Sequence, residues 1–123
     1  MKELLMIIRP NKMKATREIL DSMGFSGMTA VGVLGRGKQR GISGEIGFGI
    51  DTELLAREKS AGMKYIPKRM ISIVVNDDDV EKIVKAVIDV NQTATVGDGR
   101  IFVCPVENAF RVRTGDEGAK AIM

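Results

Sequence analysis

Three short clusters of glycine and basic residues are the places where this 123-residue chain could bind and recognise a ligand. The first cluster, residues 35–41, contains Gly35, Gly37, Lys38 and Gln39. Glycines let the backbone approach a ligand closely, and cationic side chains suit a phosphate or a carboxylate. A flexible, solvated loop root is the alternative interpretation, because short glycine-basic runs are common.

The second cluster, residues 93–100, contains Gly97, Asp98 and Gly99 between a predicted helix and a predicted strand. Successive backbone amides around the two glycines can form a concave nest that binds an anion. The alternative is a plain Asp-Gly turn that leads into the strand. The cluster is not a Walker loop, because its glycine spacing differs and no helix follows it.

The third cluster, residues 111–115, carries Arg111 and Arg113, which would share one face of a strand. The alternative is a solvent-facing edge strand whose charges prevent aggregation. Taken singly, the clusters do not require a ligand. Taken together, all three join glycines to cations at the margin of the predicted sheet, and Lys68 and Arg69 add charge on the same side. We therefore interpret them as parts of one polyphosphate site.

The composition limits the classes of function. The formal net charge of +3 and the pI of about 9.2 favour anionic partners without arguing for nucleic acid. The absence of histidine excludes Ser-His and Cys-His catalysis and imidazole metal sites. The single cysteine, Cys104, is expected to be a buried strand thiol in a reducing cytosol. No apolar run suits a signal peptide or a membrane span, so we expect a cytoplasmic protein without direct membrane insertion.

Regular strand and helix patterns lie on either side of a long glycine-rich stretch. Apolar runs predict strands at residues 4–8, 28–34, 70–75 and 101–104, with a short extra strand at 110–112. Asn11 is expected to cap a helix over about residues 12–23. The run from Asn76 to Asp79 is interpreted as the cap of a second helix rather than as a metal site. The apolar face of that helix comprises Val80, Ile83, Val84, Val87 and Ile88.

The element order is strand-helix-strand, long loop, strand-helix-strand. Two such units most economically form one antiparallel four-stranded sheet with both helices on one face, which is a ferredoxin-like α+β sandwich. We therefore predict a single domain over residues 1–123, with a polar, loose tail over about residues 115–123. The strands are apolar on both faces, so we also expect self-association.

The clusters also resemble those of a known family, the PII nitrogen-signalling proteins. The resemblance covers nearly the whole chain and rests on motifs that occur together in the right order: Gly35 with residues 37–41, Pro67, Lys68, Thr93, residues 97–99, 101–103, 105–106 and 111–115. It implies a ferredoxin-like homotrimer that holds ATP or ADP in each cleft between subunits. The stretch of about residues 36–66 would be the long T-loop, residues 93–100 the B-loop, and the segment from Arg111 the C-loop.

The resemblance also implies roles for individual residues. Met28 and Thr29 would contact adenine and ribose, and Gly35, Gly37 and Lys38 would face the nucleotide at the loop root. The phosphate-side set would be Thr93, Gly97, Asp98, Gly99, Arg100, Arg111 and Arg113, with the last two reaching across the cleft. Gln39 would meet both Mg²⁺ and 2-oxoglutarate. Lys68 would pair with a 2-oxoglutarate carboxylate, with Gly97 beside it, once MgATP is bound.

Several positions depart from the family pattern. The loop carries an insertion at about residues 47–57. Ala61 falls near the tyrosine that receives uridylyl groups in the enteric branch, and Tyr65 lies at the loop exit. Thr95 stands where a basic residue is frequent. Arg100 replaces the usual lysine, so a planar fork replaces a point charge. We therefore expect bound ligands, and not uridylylation, to set the shape of the loop.

The expanded loop and residues 62–69 most resemble the nitrogenase-operon branch, called NifI. In that branch, two related subunits assemble together and inhibit dinitrogenase until 2-oxoglutarate releases them. We thus expect a non-enzymatic sensor, either a homotrimer or a hetero-oligomer with a sister subunit, that acts on dinitrogenase. An ammonium transporter is an alternative target. An RNA-binding ferredoxin-like module is a remote alternative, because such modules stack bases on aromatic side chains and aromatic content here is 4%.

Overall fold

Two strand-helix-strand units form the framework of the chain. A computed structural model describes residues 1–37 and 65–123. The strands are β1 (Lys2–Ile8), β2 (Thr29–Gly35), β3 (Ile66–Val75) and β4 (Gly99–Pro105), and the α-helices are α1 (Met13–Ser22) and α2 (Val80–Asn91). The sheet order is β2-β3-β1-β4, with every neighbouring pair antiparallel. This arrangement confirms the predicted ferredoxin-like fold.

The core lies between one face of the sheet and the two helices. Along β1, Leu4, Met6 and Ile8 are buried while the residues between them are half-buried, as the period of two in a strand requires. Leu20 of α1 joins the same cluster, as do Ile83 and Val87 of α2. Both helices therefore cover the same face. Ile88, which we predicted on the apolar face of the second helix, is 43% exposed.

The opposite face of the sheet, which we call the open face, is also apolar. Leu5 and Ile7 of β1 are half-buried there, and Phe102 of β4 is 45% exposed. Cys104, which we expected to be buried, is half-buried because it lies on the same side of β4 as Phe102. The prediction that the helices cannot cover all the apolar strand residues is therefore correct.

The predicted cap of α1 is wrong, whereas the residue at the cap position of α2 belongs to the predicted run. Asn11 lies inside a 3-10 turn, Pro10–Lys12, and the residue that precedes α1 is Lys12. A second 3-10 turn, Asp77–Asp79, precedes α2, and Asp79 occupies its cap position without a capping side-chain hydrogen bond. A tight turn therefore directs the chain into each helix.

Strand β3 starts at Ile66, four residues before the predicted start. Its first residues pair with β2, from Leu34 opposite Pro67 to Gly35 opposite Ile66. The pairing of β3 with β1 begins only at Arg69. Pro67, which lacks a donor N–H, therefore lies beyond the end of β1, where a proline is tolerated in a strand.

The segment after β4 forms turns rather than the predicted short strand. Phe110 makes an isolated bridge to Glu117, and Gly118–Ile122 is a 3-10 helix in the tail that we predicted to be loose. Asn108 Oδ1 joins the two ends of this hairpin, because it accepts hydrogen bonds from the backbone N–H of Ala109 (2.9 Å) and Gly118 (3.1 Å). Neither α-helix in the described part of the chain is long and apolar enough to cross a membrane.

Candidate functional site

The turn between α2 and β4, residues 93–99, belongs to the second cluster, for which the sequence predicts anion binding. Its φ angles are positive at Gly97 (100°) and Gly99 (123°), and also at Ala94 (61°). Positive φ angles beside negative ones are a feature of backbone nests that bind anions. The Asp-Gly turn that we weighed as the alternative is present, and anion binding by its backbone stays a prediction.

The Asp98 carboxylate organises this turn from within. It accepts hydrogen bonds from the backbone N–H groups of Thr93 (2.7 Å) and Thr95 (3.3 Å) and from the Thr93 hydroxyl. Partial burial raises the pKa of Asp98, but the Thr93 hydroxyl, the two backbone N–H groups and the nearby charge of Arg9 together hold this pKa below its ordinary value. The ionised carboxylate of Asp98 thus contacts groups of its own turn and Arg9.

Gly99 is required by the close approach of β1. A Cβ atom at this position would lie 2.0 Å from the carbonyl oxygen of Ile7, a distance that no side chain can occupy. Gly99 pairs with Ile8 at the end of β1, so the turn must enter the sheet at this point. The glycine that we predicted to face phosphate therefore also has a steric role within the sheet.

Lys68 links the start of β3 to this turn. Its side chain is buried, with 8% exposure, and its Nζ donates a hydrogen bond of 2.6 Å to the carbonyl oxygen of Gly97. Gly35, at the end of β2, lies beside the same lysine, because a Cβ atom there would be 3.6 Å from Lys68 Cγ. The structure therefore brings together three predicted site residues from three separate elements.

Comparison with known proteins identifies the family. The family model described as nitrogen regulatory protein P-II matches residues 1–116. The chain belongs to the nitrogen regulatory protein P-II family. A protein of Methanosarcina barkeri named nitrogen fixation nifHD1 region GlnB-like protein 2 is 56% identical over 99% of both chains. The corresponding Methanobacterium ivanovii protein is 54% identical over the full length of both. A GlnB-like protein 1 of Methanothermobacter marburgensis is 42% identical over 96% of this chain and 99% of its own.

The other predicted ligand residues of this P-II protein are not all gathered at this turn, since Thr29 begins β2 opposite Ser72 whereas Gly35 ends it opposite Ile66. Met28 packs half-buried against the core, whereas Thr29 and Arg100 are exposed on β2 and β4. Gly37 is exposed at the end of the first described range. The remaining predictions lie outside the described residues: Lys38, Gln39, Ala61 and the insertion at 47–57. The predicted Mg²⁺ contact through Gln39 is among them.

Acidic residues in the described ranges do not form a metal site. No group of three or more carboxylate or cysteine side chains converges within residues 1–37 and 65–123. Asp77 pairs with the Met1 amino group at 2.7 Å, and that hydrogen bond lowers the pKa of Asp77. Asp79 pairs with Lys82 at 3.1 Å.

Arg111 and Arg113 do not share a strand face, because residues 112–114 form a turn. The Arg111 guanidinium is held by its own C-terminal segment. Nη2 donates to the carbonyl oxygens of Lys120 (2.6 Å) and Met123 (2.9 Å), and Nη1 lies 3.4 Å from the Asp116 carboxylate. Arg113 is exposed. Within the described chain, these contacts hold Arg111 against its own C-terminal segment. Its role across a subunit cleft stays a prediction.

Sequence reasoning missed Arg9, which contacts the turn directly. Its Nη1 lies 3.2 Å from the Asp98 carboxylate, and its Nη2 donates to the Val96 carbonyl oxygen at 3.1 Å. The sheet explains the contact: β1 pairs antiparallel with β4 and Ile8 lies opposite Gly99, so residue 9 lies opposite residue 98. Only the register of the sheet reveals this pair, because the two residues are far apart in the sequence.

Proposed function

We propose that this P-II protein is a non-enzymatic sensor that binds ATP or ADP and 2-oxoglutarate and regulates a target protein through the loop at residues 36–66. One observation carries the proposal. The lysine implied to bind 2-oxoglutarate, Lys68, donates a 2.6 Å hydrogen bond to Gly97 of the turn implied to bind phosphate. If Lys68 binds 2-oxoglutarate and the turn binds phosphate, this hydrogen bond would make the two ligand sites adjoin each other.

The nucleotide phosphates would lie at the turn of residues 93–99. Backbone N–H groups at left-handed positions bind anions without adding side-chain bulk, and Gly97 and Gly99 supply two such positions. Gly35 and Lys68 border the turn on the β2–β3 side. Mg²⁺, held with the phosphates by Gln39, would supply positive charge there and complete the 2-oxoglutarate site.

The Lys68 ammonium would pair with a 2-oxoglutarate carboxylate. A largely buried cation forms a stronger charge-assisted hydrogen bond than an exposed one, because water competes less for it. Lys68 lies close to the end of the long loop, two residues into β3. A ligand shifts the loop only if it binds one loop shape better than the others, and this position allows such a preference.

The substitution Lys68→Met tests this assignment, because it keeps the aliphatic stem and removes the ammonium. Calorimetry in the presence of MgATP should show loss of 2-oxoglutarate binding, with ATP affinity kept within about threefold of the unmodified protein. Lys85→Met, at an exposed position on α2, serves as the matched control. A Lys68→Met protein that still binds 2-oxoglutarate normally would contradict the role of Lys68.

Dinitrogenase is the target that we propose, with inhibition under nitrogen sufficiency. The support is the 48–56% identity to several relatives whose names place them in nitrogen-fixation gene regions. The existence of relatives named GlnB-like protein 1 and 2 supports a hetero-oligomer with a sister subunit as an alternative to a homotrimer. The open apolar face of the sheet supports either assembly.

Co-purification tests the target. The tagged protein should retain dinitrogenase from a nitrogen-fixing lysate and release it when MgATP and 2-oxoglutarate are added together. Capture of an ammonium transporter in place of dinitrogenase would favour the alternative target. Retention of dinitrogenase that 2-oxoglutarate does not change would contradict the proposed regulation.

A further inference from the structure

Arg9 lies where the end of β1 meets the turn of residues 93–99. It directly follows Ile8, whose partner across the sheet is Gly99, so the register places it beside Asp98. Its side chain is only 12% exposed. A long cationic side chain with this little exposure is committed to the protein, since an unpaired surface arginine would extend into water.

The guanidinium contacts three separate points of the turn. Its Nη1 group contacts the Thr93 hydroxyl (3.4 Å) at the start of the turn and the Asp98 carboxylate (3.2 Å) at its end. Its Nη2 group donates to the Val96 carbonyl oxygen (3.1 Å) in the middle. A guanidinium is a rigid, planar fork, so three contacts from it fix the relative positions of these residues in a way that a single ammonium could not.

The turn needs such support because its backbone is strained. Ala94 has a φ of 61° although it carries a side chain, and a non-glycine residue in this region costs about 1 kcal/mol. Contacts from outside the turn therefore help to hold it in this strained shape. A site that is already ordered before its ligand arrives binds more tightly, because binding does not have to supply the ordering free energy.

We propose that Arg9 is a positioning residue for the nucleotide site and acts through the turn without touching the phosphates. The charge of its guanidinium is directed at Asp98, which already accepts hydrogen bonds from Thr93 and Thr95. This inference rests on the proposed function, because it requires the turn of residues 93–99 to bind phosphate. It adds a residue to the site that the resemblance to the family did not supply.

A double-mutant cycle between Arg9 and Asp98 tests the proposal. ATP affinity is measured by calorimetry for Arg9→Met, Asp98→Asn and the double variant, with the thermal midpoint measured in parallel. Arg9→Met should weaken ATP binding about tenfold, which corresponds to one lost charge-assisted contact. In the Asp98→Asn background, the same change should cost less than about threefold, because the turn has already been loosened.

Two further variants separate positioning from general stability. Arg9→Lys keeps the ion pair with Asp98 but cannot span Thr93 and Val96, so we expect an intermediate loss of about threefold. Arg17→Met, at an exposed position on α1, should leave ATP affinity unchanged. Amide hydrogen exchange of the ligand-free protein should be faster at residues 93–99 in Arg9→Met, while the core strands stay protected. Arg9→Lys carries the test if Arg9→Met does not fold.

Three results would contradict the positioning role of Arg9, and each has a different meaning. Equal losses for Arg9→Met with and without Asp98→Asn would show that Arg9 binds the phosphates directly, and would overturn the positioning role. Normal ATP affinity in Arg9→Met would overturn the proposal and leave the sensor function intact. Failure of the unmodified protein to bind ATP would overturn the proposed function, and the proposal with it.

Discussion

Asp98 shows how one ionised side chain sets the local shape of the site. It accepts hydrogen bonds from the backbone N–H groups of Thr93 and Thr95 in its own turn and pairs with Arg9. The resemblance to the family grouped Asp98 with the nucleotide ligands, whereas its contacts in the structure are with protein groups. At the scale of single residues, the candidate site is thus a turn held by Asp98 and Arg9, with Lys68 at its border.

Acidification should weaken this turn. The pKa of Asp98 in the folded protein lies below its ordinary value of 3.8, so its ionised form stabilises the fold. That stabilisation is fully present above the pKa of the unfolded chain and is lost as the pH falls through the pKa of the folded protein. Thermal unfolding should therefore show a steeper loss of midpoint from about pH 5 to about pH 3 in the unmodified protein than in Asp98→Asn.

The comparison needs a carboxylate control. Asp89→Asn, at an exposed position on α2, should follow the pH profile of the unmodified protein. Asp77 also has a lowered pKa, but it titrates in all three proteins and cancels from the difference. Parallel profiles for the unmodified protein and Asp98→Asn would mean that Asp98 does not stabilise the turn through its charge.

At the scale of elements, a buried polar pair joins the two helices. Thr16 of α1 is fully buried, and its hydroxyl donates to the Lys12 carbonyl oxygen at 2.7 Å. Asn91, the last residue of α2, donates through Nδ2 to the Thr16 hydroxyl and to the Val87 carbonyl oxygen, both at 2.9 Å. These bonds fix the end of α2, from which the turn of residues 93–99 departs.

Thr16→Val should destabilise the fold by about 1–3 kcal/mol, because it removes a hydroxyl that satisfies buried polar groups. Replacing both partners, as in Thr16→Val with Asn91→Leu, should recover part of this loss, since no buried amide then lacks its partner. Thr16→Ser keeps the hydroxyl and is the matched control. Chemical denaturation gives the free energies of unfolding. A double variant less stable than Thr16→Val alone would contradict this view of the pair.

The sequence was sufficient to predict the four strands and two helices but not the turns that lead into the helices or the contacts of the tail. Apolar alternation and helical spacing predicted four strands and two helices, because these patterns reflect burial against one core. Asn11 does not cap α1, and only Asp79 of the run predicted for α2 takes the cap position. Capping depends on how the backbone leads into a helix, and a 3-10 turn precedes each of these helices. The tail contacts of Arg111 were also missed, because they are made to backbone carbonyl groups, which sequence patterns do not distinguish.

The sequence could name candidate residues for the site but not their geometry. Its residues were named from the resemblance to the family, and Gly35, Lys68 and Gly97 do lie together. Arg9 and the steric reason for Gly99 depend on the register of β1 against β4. A register between strands so distant in the sequence follows from tertiary pairing, and no local pattern contains it.

At the scale of the whole molecule, the open face of the sheet leaves apolar side chains exposed to water if the chain is a monomer. Val31 of β2 and Phe102 of β4 are 47% and 45% exposed, and half-buried apolar residues of β1 lie between these two strands. Exposed apolar surface of this kind is typical of sites that contact another protein. It supports the proposed trimer, in which each nucleotide cleft lies between neighbours.

Phe102→Arg should break this assembly, because a charge on the open face would have to be buried without a partner. Sedimentation should give about three times the 13.4 kDa chain mass for the unmodified protein and a single chain mass for the variant. Ile88→Arg is the matched control, since Ile88 is 43% exposed on the helical side. A trimer that persists in Phe102→Arg would place the interface elsewhere.

Binding of 2-oxoglutarate with and without MgATP is the most direct test of the proposed sensor. The proposal makes the two ligands adjoining occupants of one site, joined at Lys68 and Gly97. Calorimetric titration of the assembled protein should give measurable 2-oxoglutarate binding in the presence of MgATP and none without it. Equal affinity under both conditions, or no binding under either, would contradict the sensor mechanism.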